Sequence, residues 1–120
     1  MKRALLVVDH GSREPEAAAH LARLAEELQR LRPELAVYVA HLELTPPSVA
    51  EAIAACAAAG VSELVVHPFF LAPGRHAARD VPRQVEAAAA AHPGMRVRVT
   101  RPIGASAGIA ELILATLPPE

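Results

Sequence analysis

His10, Glu43 and His76 each fall just past the end of a different predicted strand, and their types suit a metal. Two imidazoles and one carboxylate converging on one rim can bind a divalent cation. Such a set holds a metal less irreversibly than thiolates, so a metal could be taken up and released again. Neutral histidine also acts as a base near pH 7. The competing reading is three unrelated polar loop residues. Arg13 follows His10, Arg75 precedes His76, and Arg79 lies one helical turn beyond, so all three would border the same rim. The backbone N–H groups of Gly11 and Ser12, at an expected helix start, add an anion-binding feature. Together they suggest an acidic ligand bearing carboxylates or phosphates. Each arginine taken alone could equally be solvated surface.

The elements that must position these residues are legible in the hydrophobic pattern. Residues 4–8, Ala-Leu-Leu-Val-Val, read as a strand buried on both faces, followed by the polar loop Asp9-His-Gly-Ser-Arg13. Ala17, Leu21, Leu24, Leu28 and Leu31 recur at helical spacing, predicting a helix over about 15–31 with Pro15 in its first turn. A second strand spans about 35–43, and Thr45-Pro-Pro-Ser48 breaks it before a helix striped by Val49, Ile53 and Cys56 and closed by Gly60. Residues 63–67 form a third strand. A helix is expected from the N-cap candidate Asp80, with Pro82 in its first turn, running to His92. Residues 96–100 form a fourth strand with Val97 and Val99 inward, and a last helix covers about 106–117. Strands alternating with helices at short linkers mean a parallel sheet with helices on both faces. The expected fold is therefore α/β: one flavodoxin-like three-layer sandwich of four or five strands, as a single domain over residues 1–120. Ligands of such sheets bind beyond the carboxyl ends of the strands, where the three candidate ligands lie.

Composition narrows the function classes. The chain is 52% apolar with a net charge of −1, which excludes a disordered chain. A near-neutral balance and 2% aromatic residues argue against a nucleic-acid partner. One cysteine excludes an internal disulfide framework, and Cys56 reads as core. Uncharged runs are too short to span a membrane, and the N-terminal apolar run is too short for a signal peptide core. A soluble cytoplasmic protein is expected. Eleven arginines stand against one lysine, a bias that a GC-rich genome explains, although arginine is also the better carboxylate ligand. Of the other histidines, His20 is expected exposed on the first helix and His92 at a helix C-terminus. His41 would support the site or fill the core, and His67 ends the third strand.

Asp9-His-Gly-Ser-Arg13, Leu42-Glu-Leu-Thr-Pro-Pro-Ser48 and Pro68-Phe-Phe-Leu-Ala-Pro-Gly-Arg-His-Ala-Ala-Arg-Asp-Val-Pro82, each after its strand, resemble the class II chelatases. Within these, the chain is most similar to the short sirohydrochlorin cobaltochelatases and ferrochelatases. The resemblance covers nearly the whole chain, and the segment from Phe70 to Pro82 is its most specific part. It implies insertion of Co²⁺ or Fe²⁺, with Ni²⁺ a further option, into sirohydrochlorin on routes to cobalamin or sirohaem. His10 and His76 match the family histidines that bind metal and take pyrrole protons, and Glu43 matches the family carboxylate. No permanent cofactor is implied; the metal is a substrate. Gly11, Ser12, Arg13, Phe70, Leu71, Gly74, Arg75 and Arg79 would bind the macrocycle, with the arginines on its eight carboxylates and Phe69, Phe70 and Leu71 along its face, the alternative for Phe69 or Phe70 being a place in the core.

The stretch Ile103-Gly-Ala-Ser106 lacks a histidine often seen in relatives, which leaves that loop without an implied role. Longer relatives enclose the macrocycle between two similar halves. One half-sized chain therefore implies a homodimer facing its own copy across the cleft. Two other readings compete: a non-catalytic metal- or tetrapyrrole-binding carrier, and an unrelated phosphate-binding domain using the Gly11-Ser12 helix start.

Overall fold

The computed structural model describes residues 2–72 and 74–120, with the side chains of residues 75–77 outside that description. Strand β1 (Arg3–Asp9) leads to helix α1 (Pro15–Leu31), β2 (Ala36–His41), α2 (Val49–Ala58), β3 (Glu63–Pro68), α3 (Arg75–Ala89) and β4 (Arg96–Val99). A 3-10 turn, η1 (Ile103–Ala105), and a short helix α4 (Ile109–Leu114) follow. All pairings are parallel, in the order β2-β1-β3-β4. The chain winds outward from β1 in both directions, so the switch point lies between the carboxyl ends of β1 and β3.

The period of two in the strands decides what each face buries. Ala4, Leu6 and Val8 of β1, Leu64 and Val66 of β3, and Ala40 of β2 point to one face. They pack with Val49, Ile53 and Cys56 of α2 and Val81 and Val85 of α3 to form the main core. Ser48 caps α2 by a reciprocal pair: its hydroxyl accepts from the Glu51 N–H, and the Glu51 carboxylate accepts from the Ser48 N–H. Gly60, at φ 83°, turns the chain out of α2. On the opposite face α1 packs along β2 and buries Leu21. It leaves open a groove of about 310 Å³ beside Leu5, Val7 and Phe69.

The four-stranded parallel α/β sandwich and α1 agree with the sequence reading, and several bounds differ; β2 ends at His41, two residues before the expected end, and α3 ends at Ala89, three before His92. Helix α3 begins at Arg75, five residues before the expected Asp80. Its N-cap position is Gly74, whose extended backbone makes no side-chain cap, so the start carries no polar signature. Pro82 consequently falls inside the helix instead of in its first turn, and removes the donor that would reach the Ala78 carbonyl. The last helix divides into η1 and α4, and Val99 is partly exposed at the sheet edge instead of inward. No helix is long and apolar enough to cross a membrane among the described residues.

Candidate functional site

The carboxyl ends of β1 and β2 continue as a pair of hydrogen-bonded loops. The Leu42 N–H donates to the Asp9 carbonyl at 3.0 Å, and the Glu43 N–H donates to the His10 carbonyl at 3.2 Å. His10 and Glu43 are thereby backbone neighbours, both exposed at the rim. Gly11 makes this approach possible. Its φ is 93°, and a Cβ there would lie 1.8 Å from the Glu43 carbonyl oxygen. Only glycine tolerates both the conformation and the contact. Beyond Glu43 the chain reverses at Leu44, whose φ of 73° and Thr45 N–H to Glu43 carbonyl bond of 2.9 Å describe a γ-turn. A left-handed leucine costs about 1–3 kcal/mol, and such strain gathers at functional loops.

Beneath this loop pair lies His41, 3% exposed, with Nδ1 at 2.5 Å from Oδ1 of Asp9. The same carboxylate oxygen accepts the Gly11 N–H at 3.0 Å. One buried imidazole and one carboxylate thus hold the bend between β1 and His10. His41 is both buried and bonded to Asp9, so it supports the bend into His10 from below, and the Gly11 N–H is already engaged. The expected anion site at a Gly11-Ser12 helix start is therefore corrected. Helix α1 begins at Pro15 with Glu14 at its N-cap position, and the Ser12 hydroxyl accepts from the Glu14 N–H. Both Gly11 and Ser12 precede the helix and serve the loop's own geometry.

His10 rests on Phe70, with ring centroids 4.3 Å apart and planes inclined by 39°. Phe70 is only 5% exposed, so it is a floor beneath His10 and not an open ring-binding face. Phe69 points to the other side of the sheet, beside His20. Leu71, 73% exposed, stands open to a ligand. The loop after β4 clamps this segment: the Gly104 N–H donates to the Phe70 carbonyl at 3.0 Å. A Cβ on Gly104 would meet the Leu71 carbonyl oxygen at 1.7 Å. The stretch around Ile103 thus has a role, holding Phe70 and Leu71, that the sequence did not reveal. A lone glycine between Ile103 and Ala105 was its one signal.

Arg13 and Arg79 are exposed, the first in the loop after His10 and the second in the opening turns of α3. Gly74 stands before that helix with open space around its Cα. Arg75 and His76 are in its first turn, and their side chains lie outside the described residues. Helix α3 is tied back to the rim by Gln84, whose side-chain amide donates to the Leu42 carbonyl at 3.4 Å. The structure thus brings together His10, Glu43 and Phe70. Among the described residues no group of three histidine, cysteine or acidic side chains is set to hold a metal. What is present chemically is an imidazole and a carboxylate on adjoining loops, over an apolar floor, at the end of a parallel sheet.

Comparison with known proteins bears on this geometry. The family model described as CbiX matches residues 4–118. The chain is 36% identical over 100 residues to the chloroplastic sirohydrochlorin ferrochelatase of Arabidopsis thaliana, covering 83% of this chain and 44% of that one. It is 38% identical over 82 residues to the sirohydrochlorin cobaltochelatase of Methanopyrus kandleri, covering 68% of this chain and 57% of that one. The sirohydrochlorin chelatase SirB of Bacillus subtilis subspecies spizizenii, solved in complex with cobalt, superposes with a TM-score of 0.84 at 29% identity. That match covers 96% of this chain and 49% of SirB. The chain spans about half the length of the curated relatives it matches.

Proposed function

The chain belongs to the CbiX family, and on that premise we propose that it inserts a divalent metal, Co²⁺ or Fe²⁺, into sirohydrochlorin, on a route to cobalamin or sirohaem. The observation that carries the reading is the seating of His10 on buried Phe70, beside the Glu43 loop at the sheet's carboxyl rim. Metal insertion displaces two pyrrole protons, so a base must accept them while weak ligands release the metal. A neutral imidazole and a carboxylate supply both functions. His10, with His76 and Glu43, would receive the metal as substrate, and Ni²⁺ is a further candidate. No permanent cofactor enters the reaction.

Sirohydrochlorin carries eight carboxylates, and Arg13, Arg75 and Arg79 would engage them around the rim. Guanidinium groups bind carboxylates in two-point fashion, fixing the macrocycle's orientation. Binding through these remote groups could supply about 1–5 kcal/mol toward deforming the ring and exposing its nitrogen lone pairs. Leu71 would lie against the ring face. The macrocycle needs two walls and this domain supplies one of them; in this reading the second wall is another copy, so that the working unit would be a homodimer, placed in the cytoplasm.

The test is metal-competition kinetics with sirohydrochlorin, followed by its visible spectrum. Turnover above the spontaneous rate is expected, with His10→Ala losing most of it while remaining folded. Stoichiometric metal or tetrapyrrole binding without turnover would replace this reading with the carrier. Phosphate-ester binding indifferent to His76→Ala would replace it with the phosphate-binding domain.

A further inference from the structure

Among the described residues two apolar surfaces stand open to solvent, one a groove and one a helix. The first is the groove on the α1 face, walled by Leu5, Val7, Leu24, Leu28, Phe69 and Ile103. Of its two polar members, His67 places Nδ1 3.0 Å from the Thr100 hydroxyl, which itself donates to the Arg101 carbonyl at 3.1 Å. The second is α4. Its residues Ile109, Leu112 and Ile113 recur at helical spacing to make one stripe, and Leu117 stands just past the turn that ends the helix. Leu112, Ile113, Leu114 and Leu117 are all more than 60% exposed. The main neighbour of α4 is the turn η1.

A concave apolar surface and a free apolar helix on one molecule invite each other, but the connection between them is fixed. Gly104 is pinned under Leu71, and the Ser106 N–H donates to the Ile103 carbonyl at 2.9 Å. The Ser106 hydroxyl accepts the Gly108 N–H at 3.2 Å, and its carbonyl accepts the Ile109 N–H at 3.3 Å. This bonded turn directs α4 outward, and the molecule measures 54 × 32 × 28 Å. For α4 to enter its own groove, that turn would have to open and reverse. Entry into a second copy's groove needs no such change.

We propose that α4 docks in the groove on the α1 face of a second copy, and that the copy returns its own α4, so that the pair closes by helix exchange. The occupant is a second copy because that arrangement buries both unpartnered surfaces with one two-fold operation and leaves neither open for further growth. It takes as given the two-copy assembly proposed for the function and identifies what holds it. The helix departs from the loop that clamps Phe70 and Leu71, so exchange would also couple dimer formation to the rim.

Size-exclusion chromatography with light scattering on the full chain at 50 µM tests the proposal. Twice the chain mass is expected, and the double variant Ile113→Glu/Leu117→Glu should fall to the monomer mass with unchanged far-UV circular dichroism. Both side chains are exposed in the single chain, so the substitutions do not threaten its fold. A cross-linking arm identifies the groove: Leu28→Cys chains mixed with Ile113→Cys chains should form a disulfide-linked heterodimer on oxidation, Cys56 being buried and out of reach. A wild-type dimer that survives the glutamate pair would overturn the exchange and leave the two-copy reading intact. A wild-type monomer, or a cross-link that closes only within one doubly substituted chain, would overturn the proposal. Chelation rates measured on the same samples report separately on the chemical reading.

Discussion

The Nδ1 atom of His41 lies 2.5 Å from Oδ1 of Asp9, directly across the parallel ladder, where the two residues are register partners. His41 is almost fully buried, and the Asp9 carboxylate also accepts the Gly11 N–H, so this one contact sets the path of the chain into His10. Removing the imidazole leaves a largely buried carboxylate, 20% exposed, without its main partner. His41→Ala is expected to lower stability by about 1–3 kcal/mol, the range for stranding a buried polar group. It should also lower kcat for chelation at least tenfold at temperatures where the variant is folded. Denaturant titration and the spectral assay read the two effects, and an unchanged kcat would remove His41 from the support of His10.

Gly11→Ala tests the contact between the two site loops. A Cβ 1.8 Å from the Glu43 carbonyl oxygen cannot be accommodated without parting the loops, and φ 93° is strained for alanine. The expected loss is about 2 kcal/mol or more of stability, the upper range for a strained backbone position. Weaker metal binding should accompany it, seen by calorimetry with Co²⁺. Metal binding equal to wild type would show that His10 and Glu43 need not be adjacent.

Cys56 is buried in the core between α2 and the sheet, and burial pushes its thiol up to about 11. It should be inert toward Ellman's reagent at pH 8 in the folded chain and react at once on unfolding. The sign of the linkage follows: the unfolded thiol ionises first, so this contribution to stability is present below about pH 9 and is lost as pH rises toward 11. Rapid labelling without denaturant would contradict the burial.

His67 is partly buried in the groove wall, and desolvation lowers its pKa from the usual 6.5. The unfolded imidazole therefore takes up its proton first as pH falls. The stabilising contribution is present above pH 6.5 and fades below it. The thermal midpoint should drop between pH 7.5 and pH 5, and His67→Gln should drop less over the same range. An equal drop in both would assign the effect to other groups.

Local pattern carried a large part of this structure. The apolar run of residues 4–8 became β1, and the three-four spacing of Leu21, Leu24 and Leu28 became α1 over the expected residues. The start of α3 was missed because Gly74 offers no capping side chain while Asp80 does, so the visible signal pointed to the wrong residue. Phe70 could be a ligand contact or core by sequence, because an aromatic in a loop looks available for either. Its burial depends on α3 and η1, which lie elsewhere in the chain.

From the sequence alone came the order of strands and helices and the positions of His10 and Glu43 at strand ends. Periodicity and chain order are local properties, and parallel strands place their carboxyl ends on one rim. Only the tertiary structure decided that Asp9 meets His41, that Gly11 presses on Glu43, and that Gly104 locks Leu71. Each of these joins residues far apart in the chain through strand register and loop packing, and no local pattern encodes the distance between two such backbones.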